Sequence, residues 1–186
     1  MQQIRNLSAR KTGVRKQKGF SLLELIVVLV VLVILGVAVY ANFGTARSGA
    51  LTQQATQGAL GVVSAISRNF PSPSYGADNA DLVPAIVKQA PKNLVNTAVT
   101  PNTLRDPWGS AITVIAANAG SNYTITFAAV PTDECNPFVR GVAENFRTVS
   151  VGTTAIKTNG GPINQTALGT ACGVATTTVA VALTGS

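Results

Sequence analysis

Two hydrophobic patterns follow one another along the first seventy residues. From Leu25 to Ala46 there is no charged residue. As an α-helix those 22 positions would span about 33 Å, enough to cross the hydrocarbon core of a bilayer. Gly36 inside the run lowers helix propensity by about 1 kcal/mol and permits bending or close helix packing. The second pattern is amphipathic. Leu51, Ala55, Ala59, Val62, Val63 and Ile66 recur at spacings of three and four, with Thr52, Gln53, Gln54, Gln57 and Arg68 on the other side. The two patterns predict one helix from near Phe20 to near Asn69, stopped by Pro71 and Pro73.

Beyond it the periodicity shortens. Pro71 to Gly76 reads as a loop, and Asp78 is placed to cap a short helix over Asn79 to Gln89. Asp106-Pro107-Trp108-Gly109 has the residue preferences of a type I turn, with Trp108 as a packing anchor. Ala111 to Ala116 and Tyr123 to Ala128 are β-prone runs with a hairpin-like break between them. A helix is expected from Thr132 to Phe146, with Phe138, Val139, Val142 and Phe146 on one face. Further strands are expected over Thr148 to Val151, Thr154 to Ile156 and Val174 to Leu183, with a turn at Gly160-Gly161-Pro162. The fold class is therefore α+β, a long N-terminal helix packed on an antiparallel sheet. Thr176-Thr177-Thr178 reads as exposed strand.

Charge changes the picture at the start of the chain. The formal charge is +7, but six of the fourteen basic residues lie before Phe20 and all seven acidic residues lie after it. Without residues 1–19 the count is eight basic against seven acidic. The remaining cations are spread thinly, without a basic stripe or interleaved aromatics, which argues against direct nucleic-acid binding. Basic residues beside an apolar span hold that flank in the cytoplasm, so the C-terminal part is expected outside. Within the apolar segment stands a lone carboxylate, Glu24. A charge in hydrocarbon costs at least about 2.5 kcal/mol, so Glu24 needs a partner or must snorkel to the headgroups. If the bond after Gly19 is cut, Phe20 gains a positive amino group one helical turn from Glu24. An ordinary secretory signal cut after Ala41 is the competing reading, but Glu24 would then interrupt its apolar core to no benefit.

The run Lys18-Gly19-Phe20-Ser21-Leu22-Leu23-Glu24 resembles the class III signal of type IV prepilins and of type II secretion pseudopilins. The resemblance implies a leader over residues 1–19, a membrane and filament-core helix over 20–46 and an extracytoplasmic head over 47–186. It implies that a prepilin peptidase cuts between Gly19 and Phe20 and methylates the new amine. It also implies that Glu24 associates with a neighbouring subunit's N-terminal amine during assembly. The Asp-Pro-Trp-Gly turn is similar to an element that precedes the sheet in many pilins.

Two cysteines, Cys135 and Cys172, fall on the side expected to be extracytoplasmic, where an even count reads as a disulfide. A metal-binding or catalytic thiol pair is the alternative, and the chain has no histidine to complete such a site. In type IV pilins a C-terminal disulfide delimits a variable region, and these positions match that placement. The helix and strands between them resemble the IVb branch, whereas the Phe20 start and leader length resemble the IVa branch. Enzyme signatures are scarce. Without histidine there is no Ser-His-Asp triad, Asp133 and Glu134 are adjacent and would diverge on a helix, and Gly160-Gly161 lacks the context of a phosphate loop. No cofactor is expected.

The expected function is a filament subunit that waits in the inner membrane and is then built into a surface filament. Its expected partners are the prepilin peptidase, identical subunits, the membrane and an inner-membrane assembly machine. A pseudopilin of a secretion or DNA-uptake system, and an exported or membrane-anchored domain outside the family, are the alternatives.

Overall fold

The computed structural model describes residues 21–71, 74–174 and 176–186, and the backbone alone for 38–46. The chain divides into two units, residues 1–43 and Gly44–Ser186. The first contributes the opening of helix α1, Leu22–Asn69. Glu24 stands in its first turn, and the Leu25 N–H donates to the Ser21 carbonyl.

Among its described residues the second unit, the head, holds the rest of α1, three further α-helices and a seven-stranded antiparallel sheet. In chain order these are α2 (Val83–Ile86), β1 (Val95–Asn96), β2 (Thr103–Arg105), β3 (Ala111–Ala117), β4 (Asn122–Pro131) and α3 (Thr132–Val142). They are followed by β5 (Thr148–Val151), β6 (Thr154–Lys157), α4 (Gln165–Cys172) and β7 (Thr178–Gly185). The sheet runs β1-β2-β3-β4-β7-β5-β6, so the C-terminal strand is inserted between β4 and β5. Period-two alternation sets one face. Ile112, Val114 and Ala116 of β3 lie opposite Phe127, Ile125 and Tyr123 of β4, and all six are buried. Ile125 and Phe127 in turn pair with Leu183 and Val181 of β7, which pair with Val149 and Val151 of β5.

The α1 stripe that joins this core is rich in alanine. Ala55, Ala59, Val62, Ala65 and Ile66 are buried, and their small side chains let neighbouring backbone approach. At Gly61 a Cβ would collide with the Pro91 ring. Thr52 departs from the sequence pattern. Placed on the polar side by periodicity, it is buried, because α3 lies over this part of α1: a Cβ on Gly141 would meet the Thr56 side chain at 3.1 Å.

Several element boundaries differ from expectation, each for a tertiary reason. The helix expected over Asn79 to Gln89 shrinks to Val83–Ile86. The residues before it are drawn out along the part of β3 that β2 leaves uncovered: Asn79 N–H donates to the Ala116 carbonyl, Ala116 N–H to Ala80, and Leu82 N–H to Val114. Covering that edge satisfies the β3 backbone. Asp78 is exposed, and it is Asp81 whose Oδ1 accepts from the Val83 N–H at 2.9 Å. Strand β4 runs on to Pro131 because a register shift between Phe127 and Val130 returns Val130 to the core. The helix expected to reach Phe146 ends at Val142 and finishes as a 3-10 turn, Ala143–Asn145, with all four expected core residues buried. Val174, Thr176 and Thr177 precede β7 rather than beginning it.

The Asp-Pro-Trp-Gly turn forms. The Gly109 N–H donates to the Asp106 carbonyl at 3.0 Å and the Ser110 N–H to Asp106 Oδ1 at 2.7 Å. Trp108 packs edge-on against Phe138 with ring centroids 5.6 Å apart. Burial pushes the Asp106 carboxyl above its ordinary 3.8, against the lowering effect of the Ser110, Trp108 and Gly109 N–H groups and of the Arg105 charge. Since the folded value is raised, the contribution of Asp106 to stability is fullest below 3.8 and is lost as the pH rises through the folded value. The stability of Asp106→Asn relative to wild type therefore falls between neutral pH and pH below 3.8, because only wild type gains on protonation. Urea unfolding of both proteins at the two pH values checks this, and a constant difference contradicts it.

Candidate assembly site

The first unit presents a helix that is apolar all round. Every large apolar side chain from Leu22 to Val37 is at least 47% exposed, far beyond the scattered apolar exposure of an ordinary surface. A helix of this kind is stable in water only when something covers it. Glu24 is the one charge among these described side chains, and it is exposed. Gly19 and Phe20, where cleavage is expected, lie outside the described residues. Among the described residues no helix is long and apolar enough to cross a membrane. The span expected over Leu25 to Ala46 runs past Val37 into residues whose side chains are not described.

In the head, Cys135 of α3 and Cys172 of α4 are joined by a disulfide, with Cα atoms 5.6 Å apart. The bond is buried. Two polar links run beside it. Arg140 Nη2 donates to Gln165 Oε1 at 2.7 Å, and Lys157 Nζ, itself buried, donates to the Ala143 carbonyl just past the end of α3. There the carbonyls of the helix end and its dipole favour a cation. The bridge thus joins α3, which packs on β4 and β7, to α4, which packs on β5 and β6.

Helix α4 was not legible as such from the two strands expected around it. Its signal was present: Asn164 caps it, with Oδ1 accepting from the Ala167 N–H at 3.0 Å, and Leu168, Ala171 and Cys172 follow at helical spacing. A second feature missed by sequence is a notch of about 390 Å³ between α1 and α3, walled by Thr52, Gln53, Thr56, Asp133, Glu134 and Pro137. Asp133 and Glu134 do diverge, as adjacent helical residues must: the first is exposed and the second buried. Among the described residues no group of three or more metal-ligating side chains comes together.

Comparison with known proteins follows this division of the chain. Residues 14–40 match the prokaryotic N-terminal methylation motif, and residues 54–184 match the family described as PilS N terminal. Among solved structures, this chain is similar to TcpA, a type IV pilin from Vibrio cholerae El Tor biotype. The TM-score is 0.55 at 16% identity, covering 73% of this chain and 99% of that one. A type IVb pilin from Salmonella typhi gives 0.54 at 17% identity, covering 72% and 95%. No curated protein sequence matches significantly. At these identities the structural likeness establishes the fold, a helix packed on an antiparallel sheet. Family and fold are those of structural subunits rather than enzymes. With the methylation motif at its start, the PilS N-terminal match over well more than half its length and a pilin fold in its head, this chain belongs to the type IV pilin family.

Proposed function

We propose that the chain is the subunit of a type IV pilus-like filament, made as a precursor that a prepilin peptidase cuts between Gly19 and Phe20 and methylates on the new amine. The observation that carries this reading is the all-round apolar helix from Leu22 to Val37 with one carboxylate, Glu24, in its first turn. Such a surface needs a covering of the same kind. Before assembly the bilayer supplies it; afterwards the equivalent helices of neighbouring subunits do, packed in a bundle. In the bundle Glu24 pairs with the methylated amine of a neighbouring subunit, and the heads form the outer surface. An assembly machine in the inner membrane, with the N-terminus on the cytoplasmic side, moves the subunit from one environment to the other.

Intact mass and N-terminal sequence of the protein recovered from membranes and from sheared surface material test the reading. The expected start is Phe20 carrying one methyl group, with long filaments in electron micrographs of the sheared fraction. A start at Asn42 would mean an ordinary exported domain, and an uncut Met1 a simple anchor; either result removes the prepilin route. A Phe20 start without long surface filaments would instead assign the chain to a pseudopilin-type machine.

A further inference from the structure

The notch between α1 and α3 holds a charge that the folded head leaves unpaired. Glu134 is only 6% exposed, yet among the described residues its carboxylate has no hydrogen-bond or ion-pair partner. Thr52, on the facing wall, is 7% exposed, and its Oγ1 is buried with no hydrogen-bond partner. Asp133 adds a second carboxylate at the rim. Pro137, also on the wall, has no N–H to give the Asp133 carbonyl one turn before it. The dipole of α3 favours the two carboxylates in its first turn but fills none of their lone pairs. A carboxylate on a side chain this closely packed, open to solvent only through the notch, favours a cation with several donors there. A lysine ammonium has three.

The cations that fit lie at the other end of the head half of α1. Arg68, Lys88 and Lys92 are exposed and without ion-pair partners among the described residues. A hydrogen bond from Gln89 Nε2 to Asn69 Oδ1 fixes the segment that follows α2 beside the end of α1. Along α1 this end is about 25 Å from Thr52, too far for a lysine of the same head to reach back. At the notch end, the head half of α1 thus carries these two carboxylates beside Arg47, and at its other end three exposed cations. A contact between unlike ends is heterologous and propagates as an open filament rather than closing as a dimer.

We propose that the notch receives Lys88 or Lys92 of a second copy, as a lateral contact between heads in the filament. The proposal rests on the filament reading above and names the partner surfaces of its heads. It is tested in the full-length chain, in cells that export it, by comparing sheared filament with the amount of Phe20-start subunit in the membrane. Glu134→Gln, and separately the exposed-site change Asp133→Lys, are expected to lower filament recovery at least fivefold at unchanged subunit level. Lys88→Glu with Lys92→Glu is expected to do the same, and combining that pair with Asp133→Lys is expected to restore recovery. Filament within twofold of wild type for the charge reversals, or no recovery in the combined variant, overturns the contact while leaving the filament reading intact. Filaments that dissociate on chelation of divalent metal but ignore the reversals would make the occupant a metal ion and also overturn it. Absence of filaments from wild type itself would remove both.

Discussion

Replacing Cys135 and Cys172 together by alanine is expected to lower the stability of the head by about 4 kcal/mol in the chain-entropy account of a disulfide. The magnitude follows from the 37-residue separation that the bond closes. Without the bond, the unfolded chain regains the freedom of that whole segment, which carries the end of α3, strands β5 and β6, and α4. Alanine is the better replacement than serine, because both sulfurs sit in the core and a hydroxyl there would need a hydrogen-bond partner. For a domain of this size the loss corresponds to a fall in Tm of roughly 10–20 °C. Scanning calorimetry of the detergent-solubilised full chain measures it, and reduction of the wild-type bond is expected to give a similar shift. Leader removal takes place far along the chain and is expected to proceed normally. Equal Tm values for reduced and oxidised protein would contradict this account of the bond.

The same segment shows where sequence reasoning reached and where it stopped. The cysteine pairing was legible because only two thiols exist, and strands β3, β4 and β5 were legible because their alternation is set by one buried face. Strands β1 and β2 were not, since two- and three-residue strands carry no period and form only because Leu94 and Leu104 are drawn into the core beside the alanine stripe of α1. Asn79 to Leu82 read as the start of a helix by composition but are tied by backbone hydrogen bonds to the open edge of β3, a tertiary demand that local propensity cannot register. Thr52 read as solvent-facing by periodicity. It became buried because α3, brought over from the far end of β4, covers the polar margin of the stripe.

The apolar opening was legible for the opposite reason. Its chemistry is local: a run of exposed branched side chains and one carboxylate need no tertiary partner to be recognised, and the structure of Leu22 to Val37 adds to the sequence mainly that these side chains are exposed. The head encodes its fold through long-range pairing, whereas the N-terminal helix leaves its partners to be supplied from outside. That difference decides which substitutions act on folding and which on assembly.

Glu24→Ala is expected to leave the head folded and the leader removed, and to reduce sheared filament by at least tenfold. The side chain is exposed in the first turn of α1, in the unit that precedes the head. Its cost is borne instead at the step from bilayer to bundle. A lone carboxylate carried into a packed apolar bundle is strongly unfavourable unless a cation meets it, and the amine of a neighbouring Phe20 supplies that cation only when the two helices are in register. Pairing therefore favours one axial position over the alternatives that an uninterrupted apolar surface would tolerate, much as a single polar residue fixes register in a coiled coil. Without the carboxylate, the amine is left unpaired and the helices lose the interaction that distinguishes the correct register. Glu24→Gln separates charge from hydrogen bonding: if pairing with the amine is what matters, it fails nearly as completely as alanine, whereas recovery to wild-type filament would mean that a neutral acceptor suffices. The readout is filament recovered by shearing, normalised to Phe20-start subunit in the membrane, so that a processing defect registers separately. Normal filaments from Glu24→Ala would remove the proposed role of this residue and leave apolar packing alone to set the register.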